Sequence, residues 1–300
     1  MHGFIVVDKP AGMTSHDVVA RVRRLLKIKK VGHTGTLDPF ATGVLPVAVG
    51  EATKAIPFLD EREKEYRAVI RLGVITDTDD LEGTVIAVHP VDGIAEADIR
   101  TVIAEFIGTI DQIPPLYSAL KRNGVPLYRL ARKGEEVERE ARRVTFHALT
   151  VDRIDLPEVA LTVRCSRGTY VRALARDVGE RLGCGAHLTE LRRTASGSFT
   201  LEHARTLEQL AGEAATGVGT VAMVTIGDAL AHLGKALLTE EGARKVRCGR
   251  APDAGDCEDG FPVGSPGGQL CLLRNGTVTA VAELPPDPEG GQLRLLRGFN

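Results

Sequence analysis

The sequence predicts a chain of mixed α and β structure: a large domain of strands and helices, then a small module that is mostly β. Three observations predict it. Apolar runs of strand length, continuous as at Phe4–Val7 or alternating as at Leu161–Cys165, recur along the chain. Between them lie patterns with apolar residues three and four apart, bounded by Thr/Ser starts and Gly or Pro stops. After a Gly/Ala-rich passage at 211–220, "AGEAATGVGT", which reads as a linker or surface loop, the chain holds one short helical pattern and then a strand–Asn275-Gly276–strand signal. A length of 300 residues suffices for a sizeable core and a second, smaller domain.

Taken in order, Phe4-Ile5-Val6-Val7 reads as a strand and Lys9-Pro10-Ala11-Gly12 as a turn. A helix follows, capped by Thr14 or Ser15, with Asp17 at its positive end. Val18, Val19, Val22, Leu25 and Leu26 form its buried face, and Arg21, Arg24 and Lys27 look outward. "YRAVIRLGVITDTDDLEGTVIAV" reads as two strands around an acidic turn, and "EADIRTVIAEFIGTIDQIPP" as a helix stopped by Pro114-Pro115. In "ALTVRCSRGTYVRALARDVGERLGCG" a half-buried strand turns at Arg167-Gly168. The helix after it has Thr169 as N-cap, a face of Val171, Leu174, Ala175, Val178 and Leu182, and Gly183 as its stop. A short helix near "TEEGARKVRCG" and the hairpin of "LCLLRNGTVTAVAEL" complete the tail.

Composition excludes several classes. The N-terminus shows no cationic segment followed by an apolar run, and the run at Val44–Val49 is short and holds Pro46, so neither a signal peptide nor a membrane span is expected. Five scattered cysteines without CxxC spacing fit reduced thiols in a cytoplasm rather than a disulfide frame or a zinc site. The net charge of −2 hides a segregated distribution. Residues 21–30 hold six basic side chains and no acidic one, while 121–143 and 164–193 each carry a surplus of four positive charges. Residues 60–110 hold twelve acidic against five basic. That pattern permits one basic face on a neutral protein, and equally a set of solvated helix faces.

The most unusual stretch is "GHTGTLDPFATGVLPVAVGEATK", with Asp38 among glycines, threonines and prolines. It is not a phosphate-binding Walker loop. As bare chemistry Asp38 could be a nucleophile, a general base or a turn-former. "TDTDDLEG" lacks the glycine position of an EF-hand and reads as a polar turn, one of whose acids could hold an active-site basic group. All four tyrosines, Tyr66, Tyr117, Tyr128 and Tyr170, stand within four residues of Lys or Arg. That is the pattern that stacks on unpaired bases while phosphates are neutralised, and also the pattern of core tyrosines with surface hydroxyls. Arg172 in a first helical turn is disfavoured by the dipole, so an anion, Asp38 or a phosphate, is its expected partner. Such a partner would keep a buried Asp ionised against desolvation.

"GHTGTLDPFATGVLPVAVGEATK", "KEYRAVIRLGVITDTDDLEG", "PPLYSALKRNGVPLYRLARKG" and "CSRGTYVRALARDVGERLGCGAHLTELRRTASG" together resemble the bacterial tRNA pseudouridine-55 synthases, with the look of an actinobacterial member. The resemblance runs in order from Phe4 to about Leu210. It implies the α+β class, a mixed, mainly antiparallel sheet of the pseudouridine synthase fold with flanking helices over residues 1–225, and an RNA-gripping insertion at about 121–143. "LTEEGARKVRCGRAP" resembles the small β-barrel RNA-binding PUA module, which implies a second domain at 226–300. That module's surplus of two negative charges over residues 228–300 is a departure, and leaves fold stabilisation as its other role.

The resemblance further implies isomerisation of one T-loop uridine of tRNA to pseudouridine, with base flipping and without metal or organic cofactor. Residue by residue it implies that Asp38 breaks the glycosidic link, by attack on sugar or base or by assisting elimination. Tyr66 stacks on the target base near the site of C5 deprotonation, and Arg172 pairs with Asp38. Tyr170 and Leu191 surround the base, and His33 helps hold the disrupted loop. Lys9 and Pro10 match an N-terminal supporting motif, and Asp80 an acid near the arginine. The glycines around Asp38 are expected to let backbone and nucleotide come close. The competing function is a catalytically silent tRNA-binding or RNA-folding protein on the same scaffold; a third is a related synthase acting on another RNA. The expected partner is tRNA through its T-arm, with no membrane and no obligate protein partner, on a monomer.

Overall fold

The computed structural model describes residues 1–118, 120–122, 124–127, 138–217, 221–261, 267–284 and 292–299. The chain opens with β1 (Gly3–Lys9), α1 (Ser15–Leu26), β2 (Val31–His33) and β3 (Thr42–Val49). Next come β4 (Glu63–Leu72), β5 (Val74–Thr76), β6 (Val85–Val88), α2 (Glu96–Ala104) and β7 (Gly108–Gln112). A two-stranded pair, β8 (Lys121–Arg122) and β9 (Val125–Pro126), precedes the long β10 (Arg142–Asp155) and β11 (Glu158–Ser166). Then follow α3 (Val171–Arg181), β12 (Ala186–Ser196), β13 (Phe199–Thr200), β14 (Ala204–Arg205) and α4 (Leu207–Thr216). The tail holds α5 (Ile226–Ala229), β15 (Gly234–Leu237), α6 (Glu240–Arg247), β16 (Gln269–Arg274), β17 (Thr277–Glu283) and β18 (Arg294–Gly298).

One ten-stranded sheet runs β14-β1-β3-β12-β4-β11-β10-β7, with β2 on β3 and β13 on β12. Only β1–β14 and β3–β12 pair in parallel, so the sheet is mixed and mainly antiparallel, and the fold class is α+β as expected. β1 shows why its apolar run is unbroken: Ile5 and Val7 enter the core beneath α1 and α3, while Phe4 and Val6 enter a second core shared with the tail. β3 divides in the same way, Leu45, Val47 and Val49 against Val44 and Ala48. The tail forms a four-stranded sheet, β15-β16-β17-β18, over a third core of its own. Its β16–β17 turn carries Asn275 and Gly276 at φ 50° and 73°, the left-handed pair that the hairpin signal requires.

Four boundaries differ from expectation. The helix read through to Pro114 ends at Ala104, because Gly108 takes φ 108° and residues 108–112 pair with β10 instead. The Gly/Ala passage at 211–216 completes α4, whose Thr206–Gln209 capping box extends the helix beyond the loop-like composition; residues 218–220 lie outside the described residues. Tyr170, not Thr169, is the N-cap residue of α3, and it makes no side-chain cap bond. The two strands read around the acidic turn are three, β4 breaking at Gly73 (φ 81°) before the β5–β6 hairpin. Thr14 caps α1 in a capping box with Asp17, as read from the sequence. Tyr128 and residues 128–137 of the expected gripping segment lie outside the described residues. Among the described residues no helix is long and apolar enough to cross a membrane.

Candidate active site

Asp38 sits on the loop between β2 and β3, and three buried side chains hold that loop from below. Ser15, at the start of α1, accepts from the Leu37 amide at 2.9 Å. Lys9, fully buried at the end of β1, donates to the carbonyls of Pro10, Met13 and Pro39 at 2.9, 2.6 and 3.0 Å. One ammonium thereby ties the β1–α1 turn to the residue after Asp38. Burial lowers its pKa to about 8, with Asp38 the foremost group opposing that shift. Arg193 of β12, also fully buried, donates to the carbonyls of Val44, Gly35 and Thr36 at 2.7, 3.2 and 3.5 Å.

The glycines here make room for protein first. Gly43 has φ 99°, and a Cβ there would come within 2.2 Å of the Arg193 carbonyl oxygen, so its absence lets β3 lie against β12. A Cβ on Gly35 would crowd the Lys64 ammonium at 3.0 Å. The expectation that these glycines admit the nucleotide is corrected in that respect.

From the opposite side α3 delivers Arg172 into the Asp38 carboxylate. Nη2 donates to Oδ1 at 3.2 Å, and Nε lies 3.0 Å from Oδ2 as an ion pair without hydrogen-bond alignment. The guanidinium is shared: Nη1 also donates to Asp80 Oδ2 and the Thr78 carbonyl, both at 3.0 Å, and Nη2 to the Tyr117 carbonyl at 2.8 Å. Asp80 is in turn oriented by the Thr78 hydroxyl at 2.6 Å and the Glu82 amide at 3.0 Å. The acidic turn of the β5–β6 hairpin is therefore the back wall that aims the arginine. A helix N-terminus disfavours a cation, and here two carboxylates and two carbonyls outweigh it.

The Asp38 side chain keeps 33% of its surface open and lines a cavity walled by protein. Burial pushes its carboxyl above the usual carboxylate range; Arg172 opposes the shift and Asp80 adds to it. Arg172 thus offsets desolvation only in part, because it serves two carboxylates. Arg172 acts in the direction expected of it, toward the ionised carboxylate.

The cavity, about 280 Å³, is lined by Asp38, Lys64, Tyr66, Tyr170, Arg172 and Leu191, with Thr36, Leu37, Ser118, Leu120 and 168–171 completing its walls. That volume sits near the low end of roughly 300–1,000 Å³ for ligand sites, a size for one nucleotide base rather than a longer segment. Tyr66, from β4, is 7% exposed, and burial pushes its phenol up to about 12. Leu191, from β12, is 8% exposed. Tyr170 is fixed by its backbone, Gln112 bonding both its amide (3.0 Å) and its carbonyl (3.1 Å), and burial pushes its phenol up.

Asp38, Tyr66, Tyr170, Arg172 and Leu191 thus meet in one cavity, with Asp80 behind Arg172 and Lys9 behind the loop. Pro10 contributes a carbonyl to Lys9. His33 does not line the cavity. It meets His16 edge to face at 5.1 Å, its Nδ1 buried without a partner, and burial lowers its pKa. Tyr117 adds a carbonyl rather than a ring.

Lys64, Arg193 and Gln112 were not singled out in the sequence. Period two could have found the first two, since Lys64 shares a strand face with Tyr66 and Arg193 with Leu191. A wider cavity, about 850 Å³, lies behind the hairpin. Its charged groups largely pair with one another, Arg176 with Asp79 and Asp177 and Arg181 with Glu105, so it offers less to a ligand.

Residues 23–171 match the TruB family pseudouridylate synthase (N terminal domain), and residues 172–225 the tRNA pseudouridylate synthase B C-terminal domain. The chain is 56% identical to the tRNA pseudouridine synthase B of Geobacter sulfurreducens over 304 residues, covering 100% of both chains. It is 43% identical to that of Syntrophotalea carbinolica, covering 100% of this chain and 98% of the relative. These relatives lend no support to the actinobacterial look of the sequence. Among solved structures it is similar to a chain of a Cbf5-Nop10-Gar1 complex, with a TM-score of 0.77, 29% identity, and 99% of this chain and 85% of that one covered. A second, from an H/ACA RNP bound to a substrate RNA containing 2′-deoxyuridine, has a TM-score of 0.76, 26% identity, and 99% and 85% covered.

Proposed function

This chain belongs to the TruB family of tRNA pseudouridine synthases, and on that premise we propose that it converts one uridine of tRNA to pseudouridine, using Asp38. The observation that carries this reading is the Asp38–Arg172 pair facing Tyr66 and Leu191 across a cavity of one-base size. The target is the T-loop uridine at position 55, flipped out of its stack at a cost of a few kcal/mol that pocket contacts offset. Tyr66 stacks on the base through its ring. With a pKa of about 12 its phenol stays protonated at neutral pH, so it acts as a face and a hydrogen-bond donor rather than a resident phenolate. Tyr170 and Leu191 close the base pocket. Arg172, aimed by Asp80, orients the Asp38 carboxylate and favours its ionised form. Lys9 and Pro10 support the loop, and His33 reaches the RNA from outside the cavity.

Asp38 acts on the glycosidic link by attack on C1′, by attack on the base, or by assisting elimination at C2′. The detached or rotated uracil rejoins through C5. The reaction is an isomerisation with no net redox change, so its stoichiometry calls for no co-reactant. The catalytic unit comprises residues 1–225, and residues 226–300 form a PUA-like module whose surplus of two negative charges over 228–300 limits its phosphate contacts. The basic segments at 21–30, 121–143 and 164–193 hold the T-arm, and the protein works as a cytoplasmic monomer.

The test is conversion of an unmodified tRNA transcript, mapped by chemical labelling of pseudouridine, with Asp38→Asn alongside. Wild type converts the T-loop uridine, and Asp38→Asn loses more than about 10³-fold in rate. Wild type that binds the transcript and converts no uridine would put the silent RNA-binding reading in its place.

A further inference from the structure

Lys64 is the charged residue of the cavity that the chemistry above leaves unused. It stands two residues before Tyr66 on β4, so the pleat sends both side chains to one face, about 7 Å apart along the strand. Its ammonium lies under the Asp38 loop, close to Arg193 at the place where Gly35 lacks a Cβ. Among the described residues it has no hydrogen-bond or ion-pair partner. The other cations here are matched. Arg172 has two carboxylates, and the Arg193 and Lys9 donors are each taken up by three carbonyl oxygens. Burial, and Arg193 beside it, pull Lys64 down to about 8; Glu61 raises it, as does Cys165 of β11, and Arg167 lowers it. Glu61 is the carboxylate that acts on it, yet the two form no ion pair, and a half-buried ammonium facing a binding cavity without a direct partner is costly unless a ligand supplies one.

Neutral uridine supplies none at its base, but its isomerisation does. When the C1′–N1 bond breaks, its electron pair leaves with uracil, and a monoanion spreads over N1, O2 and O4. Asp38 meanwhile either bonds to C1′ or takes the C2′ proton. When C5 bonds to C1′ the carboxylate is released or the C2′ proton returned, the C5 proton is lost, and N1 gains one, so atoms and charge balance.

We propose that the Lys64 ammonium contacts the substrate and holds the negative charge of the uracil ring while that ring is detached from the ribose. The proposal rests on the isomerase reading, in its two routes that detach the base. A lysine suits the task better than an arginine, because a compact charge with three rotatable donors can follow a ring as it turns. The contact strengthens as charge develops, so it accelerates the step rather than tightening substrate binding.

The experiment is single-turnover conversion of an unmodified tRNA transcript by wild type, Lys64→Met and Lys64→Arg, with tRNA affinity measured separately. Lys64→Met lowers the rate at saturating enzyme by about 10²-fold, the scale for losing one charge-stabilising donor, while its affinity for tRNA is unchanged. Lys64→Arg recovers part of that rate. An unchanged rate in Lys64→Met overturns the proposal, and so does a loss confined to affinity, which assigns Lys64 to a backbone phosphate instead.

Should Lys64→Met fail to fold, the pH profiles of the other two proteins decide. Wild-type rate falls as pH rises through about 8, and in Lys64→Arg that limb is absent because the guanidinium stays charged. A limb that persists in Lys64→Arg belongs to a group other than Lys64 and overturns the proposal. A wild type that converts no uridine sinks the isomerase reading with it, whereas active wild type beside unimpaired Lys64→Met sinks this proposal alone.

Discussion

The Asp38 cleft and the C-terminal sheet are built on opposite terms. The cleft buries Lys9, Arg193 and the Arg172–Asp80 pair, each cation held by its own set of carbonyls or carboxylates around the Asp38 loop. The tail sheet buries Ala236, Leu238, Leu270, Leu272, Ala280 and Ala282, and keeps pairs such as Arg244–Glu241 and Arg294–Glu283 in water, Asp256 with Lys245 being its buried exception. Buried ion networks seldom add stability over apolar packing of the same volume. The cleft therefore carries its charges for aim and for field, and draws its cohesion from the apolar core beneath the sheet. Damage in the cleft should fall on chemistry and stability together, while damage in the tail should fall on stability alone.

The sharpest way to break that contrast is Arg172→Met. It leaves Asp38 and Asp80 facing one another without their shared cation. Activity should be lost, and chemical denaturation should report about 3–5 kcal/mol less stability, the range for removing one member of a buried ionic network. Near-normal stability would mean that water replaces the guanidinium and that the network is not cohesive. Next in size is Leu272→Ala in the tail core, where the side chain is fully buried. A loss of about 2–5 kcal/mol is expected, with single-turnover conversion of bound tRNA unaltered. A conversion rate that falls with it would join the two regions and end the contrast.

A smaller effect is expected in the pH profile. The Asp38 carboxyl is raised above its unfolded value, so in that window the folded chain holds a proton that the unfolded chain has released. Stability therefore increases as pH falls through the window, while activity, which needs the carboxylate, decreases there. The acid limb of the conversion rate should lie above the ordinary carboxylate value of about 3.9, and Asp80→Asn should move it down by removing a repelling charge and freeing Arg172 for Asp38. An acid limb that Asp80→Asn leaves in place would assign it to another group. Smallest of all is Arg294→Ala at the rim of the tail sheet, where an exposed pair with Glu283 should leave Tm unchanged within error.

Much of this was legible in particular residues. Thr14 and Asp17 announced the start of α1, Asn275-Gly276 the last hairpin, and Leu161, Val163 and Cys165 the inward face of β11. Period and cap chemistry act over a few residues, so they survive being read without the fold. Other features misled because their partners are distant. The strand at Gly108–Gln112 exists through its pairing with β10, thirty or more residues on, and the helix-like composition before it contains no trace of that ladder. Gly43 looked like a loop glycine and proves to be where two strands touch.

By itself the sequence determined the α+β class, the apolar faces of the helices, and the singularity of Asp38 and Arg172, because these follow from local periodicity, local capping and the recognisable order of its motifs. The tertiary structure alone decided that Arg172 divides its charge between Asp38 and Asp80, that Lys9 and Arg193 are spent on backbone carbonyls, and that Lys64 faces the cavity unpaired. Electrostatic balance is a property of distances between elements far apart in the chain, and no local pattern encodes it.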